Sequence, residues 1–228
     1  MTTPFDYDDD PERLRLASRV TQQNLTSSSL YERLAGMLGS GDPRRILDVG
    51  CGEGALRAAL PPALRPRVVG LDASSTMLRA HPPPVVQADA TAVPVRSATF
   101  DAVTAVFVLD HLVDPRVAIR EAHRVLAPGG VLVAATASRT DSPELAHVWR
   151  PPLSGFDAEN GPALVGSVFG AVQIERWDAP LMRLPDRDAV RDYLIARFVA
   201  PADAAAAAER VETPITITKR GAVISARR

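Results

Sequence analysis

Between Arg45 and Ala137 the chain alternates between short, almost wholly apolar runs and helical or Gly/Pro-punctuated stretches. The apolar runs are Ile46–Val49, Val68–Leu71, Val85–Ala88, Ala102–Leu109 and Val131–Ala137. The helical stretches are Gly54–Leu60, Ser74–Ala80 and Pro115–Leu126. A run that is apolar at nearly every position suits a strand buried on both faces, because a strand with one wet face would alternate. Strands separated by helices define βαβ units, whose right-handed crossovers lay the strands parallel in one sheet. Pro128-Gly129-Gly130 reads as a helix stop and turn ahead of the last strand.

The flanks are less regular. Phe5 to Asp10 is acidic, Pro11–Val20 reads as a short helix, and Thr21–Ser29 is polar. Leu30, Leu34, Met37 and Leu38 recur at helical spacing until Gly39-Ser40-Gly41. Past Ser138 we expect short helices at Pro143–Trp149 and Gly161–Gly170 and a strand at Ala171–Trp177. Helices follow at Asp186–Phe198 and Ala202–Arg210. Terminal β structure is expected at Ile215–Thr218 and Ala222–Ala226, on either side of Lys219-Arg220-Gly221. The 228 residues suggest one domain. Its parts are an N-terminal helical or lid segment (1–40), a core (45–137), substrate-side helices with a sixth strand (138–210), and terminal β structure (211–228).

The charges balance, 26 Lys+Arg against 27 Asp+Glu, so the chain has no bulk attraction for phosphate backbones and no nucleic-acid partner is expected. No apolar run approaches the ~18–20 residues of a membrane span. The acidic N-terminus lacks the apolar segment of a secretory signal, and the expected location is the cytoplasm. The single cysteine, Cys51, excludes an internal disulfide and a Cys-based zinc site, and no metal is expected.

The stretch Ile46-Leu47-Asp48-Val49-Gly50-Cys51-Gly52-Glu53-Gly54 is a buried strand, a glycine-rich turn and a helix start. Glycines let the backbone turn sharply and let a ligand approach without a Cβ in the way. In an open parallel sheet such a turn lies at the carboxyl ends of the strands, where ligands bind. Asp72 ends the next strand, where a carboxylate can accept hydrogen bonds from a ribose diol. Asp89 ends the third and can meet an adenine amino group. The plain alternative is that Asp48, Asp72 and Asp89 cap the helices that follow them.

These residues closely resemble the class I S-adenosylmethionine-dependent methyltransferases, particularly the group that includes the quinone-biosynthesis C-methyltransferases. Asp48-x-Gly50-Cys51-Gly52-x-Gly54 resembles their first motif, and Leu71-Asp72-Ala73-Ser74-x-x-Met77-Leu78 their ribose-holding segment. Asp89-Ala90 followed by Val93-Pro94-Val95 resembles the adenine segment, with Val95 in place of the usual Phe. Phe100-Asp101-Ala102-Val103 leading to Val108-Leu109-Asp110-His111-Leu112-Val113-Asp114-Pro115 resembles the fourth motif. Glu121-x-x-Arg124-Val125-Leu126-x-Pro128-Gly129-Gly130 resembles the segment before the fifth strand, with Ala127 in place of the usual Lys.

The resemblance implies a Rossmann-like sheet of seven mostly parallel strands with helices on both faces, an N-terminal helical lid and a C-terminal helical insertion. It implies S-adenosylmethionine as cofactor, S-adenosylhomocysteine as product, and a small-molecule methyl acceptor, in a monomer or homodimer. Gly50, Cys51 and Gly52 would run past the methionine part of the cofactor, and Asp48 would organise the loop or reach the methionine amino group. Asp72 would take the ribose hydroxyls, Ala73 and Met77 would pack on the adenine, and Asp89 and Ala90 would grip its edge. Phe107 or Leu109 would lie under the methyl-bearing sulfonium.

Other residues carry two readings. Cys51 is a nucleophile or a small residue filling the turn, and its place among the glycines favours the second. His111 is a candidate base, since imidazole titrates near neutrality, or it shapes the pocket. Asp110 pairs with or replaces it, or is a solvent-facing loop acid or helix cap. Asp114 before Pro115 reads as an N-cap. His123 is expected to be structural and His81 exposed. His147 and Trp149 line a substrate pocket or are merely exposed or satisfied. Tyr7, Arg13 and Arg19 belong to a lid that closes on the cofactor's carboxylate, or to a frayed terminus. Arg220, Arg227 and Arg228 read as a solvated basic tail.

Three rivals differ in class. A nicotinamide oxidoreductase would carry Gly-x-Gly-x-x-Gly, whereas this chain has Gly-x-Gly-x-Gly behind Asp48. An enzyme methylating an exocyclic base amine would carry Asn/Asp-Pro-Pro-aromatic in the fourth motif, which is lacking here, though an RNA ribose or ring-nitrogen target fits the same residues. A non-catalytic cofactor-binding module would keep the same loop.

Overall fold

The computed structural model describes residues 10–228. Two helices lead, α1 (Pro11–Asn24) and α2 (Leu30–Gly41). Ser29 caps α2 with a reciprocal bond pair to Glu32, which is why the helix begins there. Then come β1 (Ile46–Val49), α3 (Ala55–Ala59), β2 (Val68–Asp72), α4 (Ser75–Ala80), β3 (Val85–Gln87) and β4 (Phe100–Val106). The C-terminal half holds α5 (Pro115–Val125), β5 (Leu126–Ala137), α6 (Gly161–Phe169), β6 (Val172–Leu184), α7 (Arg187–Ile195), α8 (Pro201–Ala208) and β7 (Ile215–Arg227). Asp114 caps α5 by accepting from the Arg116 N–H, with Pro115 at the first helical position.

The strands form one sheet in the order β3-β2-β1-β4-β5-β7-β6. Its first five strands pair in parallel, and β7 runs antiparallel to both β5 and β6. Alternate residues of each strand feed opposite faces. Leu47, Val49, Leu132 and Ala134 pack with Ile119 and Val125 of α5. Ile46, Val68, Val133 and Ala135 pack with Leu34 and Leu38 of α2 and Leu56 after β1. Both faces are covered, which accounts for strands without alternation. The order reverses between β1 and β4, so a crevice opens at their carboxyl ends.

Three expectations need correction. Lys219-Arg220-Gly221 does not separate two β stretches but lies in the middle of β7, all three residues paired with β6 and Gly221 also with β5. Glycine stands there because a Cβ would lie 2.0 Å from Trp177 and 2.5 Å from the Thr136 carbonyl. Pro128-Gly129-Gly130 lies inside β5, where the register jumps from Phe100 opposite Leu126 to Ala102 opposite Val131. Arg227 and Arg228 are not a free tail: their guanidinium groups donate to the carbonyls of Gly129 and of Arg124 and Leu126.

A third cluster joins Val20 of α1, Met182 and Leu184 of β6, Val190, Tyr193 and Leu194 of α7, the α8 alanines and Ile217. Lys219, the chain's only lysine, ties this cluster to the sheet. Its ammonium pairs with buried Asp141 and reaches Tyr193 Oη at 2.9 Å and Ser142 Oγ at 3.2 Å.

Candidate active site at the carboxyl ends of β1, β2 and β4

Gly50, Gly52 and Gly54 all take positive φ, +67°, +52° and +93°. The N–H groups of Gly50 and Cys51 donate to the Leu71 carbonyl, bending the loop toward β2. At Gly50 a Cβ would lie 2.4 Å from Val108 Cγ2, so the loop after β1 and the turn after β4 touch only because that atom is missing. Cys51 is buried, and burial, reinforced by Asp48 and Asp72, pushes its thiol well above the usual range. It is a neutral small side chain in the turn and not a nucleophile.

The helix-cap alternative fails for all three aspartates, since no helix follows Asp89 before β4. The N-cap of α3 is Gly54, without a side-chain bond, and that of α4 is Ser74. Asp72 instead accepts from Gly52 N–H through Oδ2 at 2.8 Å and from Ser74 N–H through Oδ1 at 2.9 Å. Each oxygen keeps a further lone pair for a ligand. Asp89 is exposed and its Oδ1 accepts from the Thr91 N–H and hydroxyl, both at 2.7 Å. Ala73 is exposed and Ala90 buried. Met77, only 2% exposed, has no open face for a ligand in this structure.

Asp48 is buried beneath the loop and accepts from Thr104 Oγ1 at 2.7 Å. Burial pushes its carboxyl up to about 7, with Asp72 adding to the rise and Thr104 opposing it. Between about pH 4 and pH 7 the folded chain therefore holds a proton that the unfolded chain has released. Asp48 accordingly favours folding at low pH, and this contribution is lost as pH rises through 7. Asp48→Asn is expected to raise the melting temperature of the free protein by roughly 5–10 °C at pH 8 and far less at pH 5, read by thermal unfolding across pH.

The Glu-x-x-Arg motif proves to be a clamp. Arg124 binds Glu121 and the carbonyls of Val93 and Val95, while Glu121 Oε2 accepts from the Val93 N–H. Arg124 holds the Glu121 carboxyl below its usual range. The pair fixes the segment that follows Asp89-Ala90.

At the end of β4, Phe107 has φ +51° and is 39% exposed. An L-residue held there costs about 1–2 kcal/mol, strain characteristic of functional turns. Leu109 is buried in the core. Asp110 is not the solvent-facing acid expected: Oδ1 is buried, and burial pushes the carboxyl up. His111 Nε2 stands 3.9 Å from Asp110 Oδ2. A cleft of about 450 Å³ lies between the starts of α5 and α6, lined by Val113, Pro115, Arg116, Gly155, Asn160 and Leu164, and none of Phe107 to His111 lines it.

Helix α1 lies over the glycine loop. Leu14 Cδ2 would stand 3.5 Å from a Cβ on Gly52, and Arg15 grips Glu53 Oε1 through Nε (2.9 Å) and Nη2 (2.8 Å). Arg13 reaches the Ile195 carbonyl and stacks on Phe198, docking α1 against α7. Arg19 is exposed, 4.0 Å from Glu12, and is not brought to the loop; Tyr7 lies outside the described residues. Trp149 packs edge-on against Tyr193 in the third cluster, not against the crevice. His123 stacks edge-on against Phe169, and His147 is exposed. His81, expected to be exposed, is buried behind the loop, where a Cβ on Gly54 would come within 2.9 Å of its ring. The sequence reading passed over Leu14, Arg15, Thr104 and Val108.

Residues 47–134 match the family described as "Methyltransferase domain". Demethylmenaquinone methyltransferase of Lactiplantibacillus plantarum is 36% identical over 118 residues, 46% of this chain and 50% of that protein. A malonyl-[acyl-carrier protein] O-methyltransferase of Hahella chejuensis is 33% identical over 154 residues, 58% of this chain and 54% of that protein. The chain thus spans about half the length of these relatives. The crystal structure of the YcgJ protein from Bacillus subtilis shares the fold, with a TM-score of 0.64 at 19% identity over 87% of this chain and 97% of that one. The crevice and glycine loop therefore lie in the segment that matches a methyltransferase domain, and a solved neighbour with the same fold, from Thermotoga maritima, is described as a SAM-dependent methyltransferase (TM-score 0.58, 18% identity over 97% of this chain and 96% of that one). The residues present would suit S-adenosylmethionine: a glycine cradle without side chains, and carboxylates for a ligand rich in hydroxyl, amino and cationic groups.

Among the described residues no helix is long and apolar enough to cross a membrane. Nor do the described residues hold a group of three or more His, Cys, Asp or Glu side chains arranged for a metal ion.

Proposed function

We propose that this chain transfers a methyl group from S-adenosylmethionine to a small organic acceptor. The observation that carries the reading is the triple positive-φ glycine turn with Asp72 bonded across it to Gly52 N–H. Gly50 and Gly52 would flank the methionine part, Asp72 the ribose, and Asp89 with Ala90 the adenine edge. The bound cofactor supplies an electrophilic methyl on a sulfur that leaves as a neutral thioether. The protein's task is then to align the acceptor and exclude water. Phe107 and the turn through His111 would face the acceptor, and Leu14 of α1 would cover the loop.

Demethylmenaquinone and malonyl-acyl-carrier protein, in the names of the two relatives, bracket the acceptor between a quinone-type ring and a carboxylate-bearing acyl chain. A cytoplasmic protein working on a small molecule, without nucleic acid, is the setting this reading implies. S-adenosylhomocysteine is expected to raise the melting temperature of the purified chain, and NAD(H) to leave it unchanged. The reverse pattern would sink the reading.

A further inference from the structure

Among the described residues two buried side-chain polar atoms lack a hydrogen-bond partner, His81 Nε2 and Asp110 Oδ1. The first has a local reason. His81 Nδ1 donates to the Pro82 carbonyl at 2.6 Å, which leaves Nε2 as a single lone pair pressed against Gly54 and Gly70. Asp110 has no such excuse. A carboxyl oxygen carries two lone pairs and is among the costlier groups to bury unpaired. Arginine, serine and threonine are plentiful in this chain, yet none reaches it. The turn that holds it is set firmly in place by Val108 against Gly50 and by Leu109 in the core. Three residues earlier stands Phe107, strained and exposed. An unsatisfied acceptor and a strained backbone in one short turn at the carboxyl end of β4 are what remains when the missing partner is a ligand.

Resting on the reading above, we propose that Asp110 Oδ1 receives a hydrogen bond from the methyl acceptor. The acceptor then presents an O–H or N–H group at this point, because a carboxylate oxygen only accepts and its complement is a donor. Where that oxygen or nitrogen is itself the nucleophile, it forms its bond to the methyl carbon as the carbon–sulfur bond breaks and the electron pair stays on sulfur. The proton shed by the acceptor passes to Asp110 and then to water. Burial raises the carboxyl's proton affinity in the direction this transfer needs. His111 Nε2, 3.9 Å from the other oxygen, is placed to steady the carboxylate.

The test compares wild type, Asp110→Ala and Asp110→Asn by thermal unfolding, alone and saturated with S-adenosylhomocysteine. Matched probes that differ only in the donor are then added: phenol against anisole, and aniline against N,N-dimethylaniline. Free Asp110→Ala is expected to melt about 2–4 °C above wild type, because an unpaired buried group has gone. Its S-adenosylhomocysteine shift should match wild type. In wild type, phenol and aniline should stabilise the saturated protein more than their methylated counterparts. That difference should vanish in Asp110→Ala and shrink in Asp110→Asn. A lower melting temperature in both variants would make Asp110 structural, and loss of the S-adenosylhomocysteine shift would assign it to the cofactor. Equal effects of donor and non-donor probes on wild type would overturn the proposal outright. If wild type itself shows no S-adenosylhomocysteine shift, the methyltransferase reading fails first, and the two failures stay distinct.

Discussion

Asp72→Ala is expected to remove the thermal stabilisation by S-adenosylhomocysteine. Asp72 bonds the backbone of both Gly52 and Ser74, so it links the glycine loop to the start of α4 as well as facing the crevice. Its loss withdraws the acceptors proposed for the ribose diol and frees Gly52 N–H. Hydrogen bonds to a charged group contribute about 1.5–3 kcal/mol each, so losing two corresponds to roughly a hundredfold or more in Kd. Asp72→Asn should fall between, since it keeps one acceptor oxygen and loses the charge. Calorimetric titration would check this, and near-wild-type affinity in Asp72→Ala would show that the ribose is held elsewhere.

Gly50→Ala should damage stability and binding together. Its φ of +67° costs an L-residue about 1–2 kcal/mol. The new Cβ would also sit 2.4 Å from Val108 Cγ2 and 2.5 Å from Val108 Cβ, where overpacking adds about 1–3 kcal/mol. Together these predict a melting temperature lower by roughly 5–12 °C. Adding Val108→Ala should restore part of it, because that change removes the overlap and leaves the φ strain. Gly36 in α2 is the control, with nothing within 4 Å of a Cβ. Gly36→Ala should stabilise by about 0.5–1 kcal/mol through helix propensity. Loss of stability in Gly36→Ala as well would undo the contrast.

The strands β1 to β4 were legible because burial on both faces leaves an unbroken apolar run, and their starts agree with the sequence to within two residues. Prediction carried β4 through Leu109, whereas the strand stops at Val106 and Phe107 turns out of it at positive φ. Hydrophobicity alone cannot mark that stop. Nor could local sequence show that β7 runs straight through Lys219-Arg220-Gly221. Charge and glycine look like a turn until Asp141 neutralises the lysine and Trp177 occupies the space beside Gly221. The lid candidates erred for a similar reason. Arg15, not Arg19, meets Glu53, and the choice depends on how α1 docks against α7.

By itself the sequence determined the parallel core, the place of the glycine turn, and the carboxylates around it. Those features are local: a strand's burial pattern, a turn's need for positive φ and an acid at a strand end all lie within a few consecutive residues. Only the tertiary structure decided what each acid does. Asp48 is buried on Thr104, Asp72 is bonded across the loop, Asp89 stays in water, and Asp110 is half-buried beside His111 with one oxygen left unpaired. Side-chain chemistry is identical in all four. What differs is desolvation and the partner brought from another strand, and both are set by packing between residues far apart in the chain.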